Sequence, residues 1–149
     1  MFDPRTPNVA FTVCARNYFA QARLLARSFH RHHPECDFHV VLMDRRDEAF
    51  AAAHPDIRIT WVEDLGLPNF HAHSMRFDVI EFSTNVKPHC LGLLLERYQQ
   101  ALYLDPDTYL FDRLDVVFDA LDTASVTVTP ATMTPVMDGH QPDDIEFMR

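Results

Sequence analysis

The chain has 149 residues, 47% of them hydrophobic and 23% charged, which is the length and balance of one globular domain rather than a disordered chain. Thirteen basic residues against twenty-two acidic ones give a net charge of −9 with no basic stripe, which argues against nucleic acid as a partner. Three glycines cannot write a dinucleotide fingerprint or a P-loop, three scattered cysteines make no disulfide framework, and no apolar run reaches the ~18 residues of a transmembrane segment. The polar start, MFDPRTPN, lacks the apolar stretch of a signal peptide, so the expected compartment is the cytoplasm.

In chain order, Asn8 to Cys14 is an apolar, β-rich strand. Tyr18, Ala22, Leu25 and Phe29 then share one helical face, which runs out at His33-Pro34. Asp37 to Met43 reads as a second strand, Asp47 to His54 as a short helix stopped by Pro55, and Ile57 to Val62 as a third strand. Glu63 to Asn69 reads as a loop or broken helix, His71 to Phe82 as helix, and Val86 to Tyr98 as a helix with Cys90, Leu93, Leu94 and Arg97 on one face. Ala101 to Asp105 is a fourth strand, Leu114 to Leu121 a short helix, and Ser125 to Thr129 a fifth strand. This alternation predicts an α/β fold with a mostly parallel sheet flanked by helices. Such sheets bind ligands beyond the carboxyl ends of their strands. That directs attention to Ala15–Tyr18, Asp44, Glu63-Asp64 and Asp105–Asp107.

The most chemical of these stretches is Leu102-Tyr-Leu-Asp-Pro-Asp-Thr-Tyr-Leu110, where an apolar strand ends in two aspartates one residue apart. Two carboxylates placed so closely repel each other and require solvent or a cation. Mg²⁺ or Mn²⁺ commonly shares its shell between one or two carboxylates and a substrate's phosphates. The plain alternative is a solvated turn around Pro106. A calcium loop is excluded, because its fifth, sixth and twelfth positions fall on Tyr109, Leu110 and Val116. Lys87 is the single lysine beside twelve arginines, and Pro88 is suited to the first turn of a helix. A lysine at a helix N-terminus is a seat for a diphosphate, and its plain alternative is a solvated side chain.

His30, His32, His33 and Cys36 cluster, with His71 and His73 further on, and zinc takes such ligands. They lack a paired C-x₂₋₄-C, and the end of a helix favours cationic groups without any metal. Cys14 and Cys90 fall on apolar faces and read as core residues, not nucleophiles.

With these residues in place, the chain resembles the GT-A fold glycosyltransferases. The opening strand followed by Arg16-Asn17-Tyr18, the Ser28-Phe29 pair and DFHVVLMD resemble the start of that fold. The stretch VKPHCLGLLLERYQQALYLDPDTYLFDRLDVVFDAL is similar to the helix, strand and Asp-x-Asp core of the glycogenin and lipopolysaccharide galactosyltransferase family. The resemblance covers roughly residues 8–130. It implies a transferase that moves a sugar from a nucleotide-diphospho-sugar, a UDP-sugar as first guess, to an unknown acceptor. Asp105 and Asp107 would hold Mn²⁺ or Mg²⁺ against the diphosphate, Tyr18 would stack on the base, and Lys87 would approach the sugar-phosphate. The family often carries an acid just after the first strand, where this chain has Ala15 and Arg16.

In the family a second half follows, with the acceptor site and a late histidine in the metal shell. His140 is the only histidine after the Asp-x-Asp and stands too early to match it. The expectation is therefore a single nucleotide-sugar-binding domain over residues 1–149, incomplete at its C-terminal end. Two other readings stay open: a non-catalytic fragment that at most binds a nucleotide, and an unrelated α/β module.

Overall fold

The computed structural model describes residues 7–67 and 79–129. Residues Met1–Leu114 and Asp115–Arg149 form two compact units. The first is built on a four-stranded sheet in the order β3-β2-β1-β4, from β1 (Asn8–Cys14), β2 (Asp37–Leu42), β3 (Arg58–Trp61) and β4 (Gln100–Tyr103). Every pairing is parallel, with Phe11 beside both His39 and Tyr103. The predicted α/β architecture with a parallel sheet is therefore present.

Each strand arises from an apolar run, and both faces of β1 are covered, as parallel sheets require. Its odd residues Val9, Phe11 and Val13 pack in one cluster with Phe82, Val86, Cys90, Leu94 and Tyr98. Four of these recur every fourth position along α3 (Val79–Leu95), the stripe of a helix lying on a sheet. The opposite face is covered by α1 (Phe19–His32), which buries Ala22, Leu25, Ala26 and Phe29. The Phe29 ring lies 5.2 Å from that of Phe38 on β2. Between β2 and β3, the short helix α2 (Glu48–Ala52) starts where Asp47 accepts the Phe50 N–H at 3.0 Å, an N-cap. A 3₁₀ turn, Val62–Leu65, follows β3 and ends at Gly66, whose φ of 63° suits glycine. In the second unit, α4 (Asp115–Leu121) is followed by described residues 122–129 without helix or strand.

Two expectations require correction. Ser125–Thr129 is not a strand: Val126 and Val128 are exposed, and the β-preference of a Val-Thr-Val run counts for little without a packing surface. Pro88 does not open a helix, because α3 begins at Val79 and runs through it. Pro88 and Thr84, whose carbonyl would have received the missing N–H, are both exposed, so water can replace the lost bond. Consequently Lys87 lies mid-helix and not at an N-terminal anion seat. β4 is the outer strand beside β1 among the described residues. Of the predicted helix His71–Phe82, residues 71–78 lie outside the described residues, as does the tail from 130 on, including His140. Among the described residues, no helix is long and apolar enough to cross a membrane.

Candidate functional site

The strand order determines where the carboxyl edge can open. The chain winds outward from β1 through β2 to β3, then returns to place β4 on the other side of β1. Connections on the two sides of β1 diverge, which makes the ends of β1 and β4 the switch point of the sheet, the place where open α/β sheets bind ligands. Arg16–Tyr18 leaves β1 as a 3₁₀ turn, and Asp105 to Asp107 follow β4. The candidate residues Tyr18, Asp105 and Asp107 thus leave neighbouring strands at one edge, and all three are exposed.

Lys87 comes to the same place from α3. Its Nζ lies 3.6 Å from Asp105 Oδ1 and 4.3 Å from the centroid of the Tyr103 ring. The Tyr103 hydroxyl donates to Asp105 Oδ1 at 2.6 Å. Burial, and then the hydrogen bond to Asp105, raises the Tyr103 phenol well above its usual range, so it remains a donor. Asp105 is therefore oriented by a cation and a phenol, while Asp107 enters no ion pair among the described residues. Tyr18 makes no hydrogen bond or ring contact to Lys87 or Asp105. Sequence reasoning missed Tyr103, although the signal was present: residues 103 and 105 are two apart and so share a side of an extended segment.

The other acids of this edge have structural partners. Asp44, after β2, accepts the Arg16 N–H at 2.7 Å and so fixes the turn that carries Tyr18. The Arg16 guanidinium pairs with Asp47 at 3.0 Å and lies over the Phe50 ring at 4.5 Å. Glu63 accepts the Arg46 N–H at 3.3 Å, and Asp64 pairs with the Arg46 guanidinium. Asp107 thus stands out among these carboxylates, while Asp105 is shared with Lys87 and Tyr103.

The segment after the acids is pinned to the C-terminal end of α1. Ser28 Oγ accepts the Leu110 N–H at 3.1 Å and donates to the Leu25 carbonyl at 2.8 Å. His33 Nε2 accepts the Leu114 N–H at 2.8 Å, which places the ring proton on Nδ1, 3.3 Å from Glu35 Oε1. Arg113 binds the same Glu35 oxygen at 2.6 Å and also the His32 carbonyl. Its hydrogen bond holds the Glu35 carboxyl below the usual range.

Part of the predicted histidine cluster gathers here. Ligand atoms of His33, Glu35 and Cys36 lie within 4.8 Å of one another, but His30 and His32 do not join them. His30 instead approaches its own helix, with Nδ1 2.9 Å from the Ala26 carbonyl. His71 and His73 lie outside the described residues. Cys14 and Cys90 are buried, and burial, the larger cause in both, pushes each thiol up to about 12, as expected of core residues.

Fold and edge together define an open α/β domain with a cation-and-carboxylate site at its switch point. No protein-family model matches the chain, and no curated protein matches it either.

Proposed function

We propose that the chain binds a nucleotide-diphospho-sugar at the β1–β4 edge and serves sugar transfer of the GT-A glycosyltransferase type, with a UDP-sugar as donor and an acceptor yet to be identified. The observation that carries this reading is the Lys87–Asp105 pair at 3.6 Å beside an exposed Asp107. An ammonium and two carboxylates at one strand end suit a metal-diphosphate: the carboxylates face the metal and the ammonium faces the phosphates.

The donor set agrees with the metal. Asp105 and Asp107 offer only oxygen, which selects hard cations such as Mn²⁺ or Mg²⁺ over zinc. Two carboxylates leave most of an octahedral shell for water and phosphate oxygens. When bound, the metal supplies charge neutralisation of the departing nucleoside diphosphate. Tyr18, exposed on the turn fixed by Asp44, is the aromatic surface for the base. Lys87 also keeps Asp105 oriented until the metal arrives.

The test is a thermal-shift series with UDP, GDP and ADP, each with and without Mn²⁺. Binding to the folded state raises the melting temperature by mass action. Stabilisation by UDP that requires Mn²⁺, and that disappears in D105N and D107N, is the expected result. Stabilisation by no nucleotide, or by UDP equally well without metal and in both variants, would leave the Asp-Pro-Asp a solvated turn of an unrelated α/β module.

A further inference from the structure

A second concave site lies on the other side of β1, between the α3-facing side of β2–β3 and the C-terminal part of α3. It encloses a cavity of about 280 Å³ and shares no residue with the β1–β4 edge. Its walls combine apolar Val41, Ile59, Leu93 and Leu94 with the polar groups of His39, Arg58 and Arg97.

His39 makes this more than a gap in packing. Only 8% of the residue is exposed. Nδ1 lies 2.9 Å from Thr60 Oγ1, but the buried Nε2 has no hydrogen-bond partner. A buried polar nitrogen left unpaired costs roughly 1–3 kcal/mol and asks for an explanation. The ring stays neutral near pH 7: burial first, then Arg58, lowers its pKa to about 4. In the tautomer where the Thr60 hydroxyl donates to Nδ1, the ring proton sits on Nε2, which can then meet an acceptor.

The charges nearby select the sign of the ligand. Arg58 pairs with Asp37 at 2.6 Å, so much of its charge is already answered. Arg97 is exposed and enters no ion pair among the described residues, yet it acts on His39 electrostatically. Asp64, also on the wall, is paired with Arg46. The unanswered charge is thus positive, and Val41, Ile59, Leu65, Leu93 and Leu94 give the lining an apolar side beside the polar atoms of Thr60, Cys90 and Tyr98.

We propose that this groove binds a small amphipathic carboxylate, its apolar body against Val41, Leu93 and Leu94 and its carboxylate between Arg97 and His39 Nε2. The cavity lies just below the ~300 Å³ lower bound of ordinary small-molecule sites, so the body is a short acyl chain or a single ring. A fully apolar ligand would leave Nε2 unpaired, and an inorganic anion would leave the hydrocarbon wall uncovered.

The probe is octanoate, titrated while the His39 ring is observed by ¹H–¹⁵N NMR, with the resonance assigned by its loss in H39N. Octanol and inorganic phosphate are the comparators. A saturable shift of the His39 ring with octanoate is expected, with octanol at least tenfold weaker and phosphate without effect. R97Q should weaken octanoate at least tenfold, and L93W, which fills the cavity, should abolish the shift. Circular dichroism confirms that each variant is folded, and the two act on different walls. The proposal is overturned if octanoate gives no saturable shift, or if either variant, folded, binds it as the wild type does. Equal binding of octanol would make the groove a purely apolar cavity, and an equal response to phosphate would leave an adventitious anion site, each of which also overturns it.

Discussion

Replacing Lys87 with methionine separates a structural role from a ligand-binding one. Methionine keeps an unbranched apolar stem beside Tyr103 and is nearly as good a helix former as lysine. What disappears is the ammonium. Its pair with Asp105 is 3.6 Å long, with side-chain exposures of 29% and 63%, so water screens it and its worth is at most about 1 kcal/mol. Its position 4.3 Å over the Tyr103 ring contributes about 0.5–1 kcal/mol. Both belong to one ammonium, so the combined loss is about 1 kcal/mol, a fall in melting temperature of roughly 2–4 °C for a chain of this size. A charged hydrogen bond to a phosphate is worth more, about 1.5–3 kcal/mol, or roughly 10- to 150-fold in affinity. K87M should therefore remain folded while its affinity for UDP with Mn²⁺, measured by titration calorimetry, falls by at least tenfold. Unchanged UDP affinity would refute the phosphate role. A drop in melting temperature beyond about 8 °C would show instead that Lys87 holds the fold together.

Ser28→Ala should destabilise the protein by about 1–3 kcal/mol in urea unfolding, because the buried Leu110 N–H loses its acceptor; a change below about 0.5 kcal/mol would mean that the pin is unimportant. Cys14 and Cys90, raised to about 12 by burial, should react with a thiol reagent at pH 8 only after unfolding, and prompt labelling of the native protein would contradict their burial. His39 gives an acid limb to stability. Its folded pKa of about 4 lies below the ordinary 6.5, so the unfolded chain takes up the proton first. That contribution, up to about 3 kcal/mol, is complete above pH 6.5 and lost as pH falls towards 4; urea midpoints of H39N should lose this slope, and an identical slope would place the titration elsewhere.

The alternation of apolar runs with helical patterns made the α/β fold legible, because strands buried on both faces write themselves as continuous hydrophobic runs such as NVAFTVC and DFHVVLM. Strand order was not legible: no local pattern states that the fourth strand returns to the far side of the first, and that return is what creates the switch point. Pro88 misled because local rules place proline at a helix start, whereas the stripe Phe82, Val86, Cys90 and Leu94 outweighs one missing hydrogen bond on the solvent side. The Val-Thr-Val run at 126–128 misled in the opposite way, since it has strand chemistry and no surface to pack on. Within the candidate site, the two aspartates were conspicuous in sequence. The meeting of Lys87 with Asp105 follows only from α3 packing against β1 and β4. Glu35 and Arg113 gave no signal, because the first acts through a histidine two residues earlier and the second through a segment folded back from 78 positions away.

How the Asp-x-Asp turn keeps its shape follows from what bounds it. Two carboxylates in a short turn repel each other, and a free turn would relax by splaying them apart. At its start, Asp105 is held by the Tyr103 hydroxyl and the Lys87 ammonium, and the Leu104 N–H still bonds the Phe11 carbonyl of β1 at 3.0 Å. At its end, Leu110 and Leu114 are tied by their backbone N–H groups to Ser28 and His33, which are only 3% and 1% exposed. Within the turn, the Thr108 N–H closes on the Asp105 carbonyl at 3.0 Å. Buried hydroxyl and imidazole acceptors are costly unless paired, and here each is paired to a backbone N–H of this one segment. The protein thus fixes both ends of a segment whose middle exposes two carboxylates. In the proposed function, such preorganisation would spare a bound metal-diphosphate the cost of ordering the turn. It ties the buried pair Ser28 and His33, which touch no candidate ligand, to the geometry of Asp105 and Asp107.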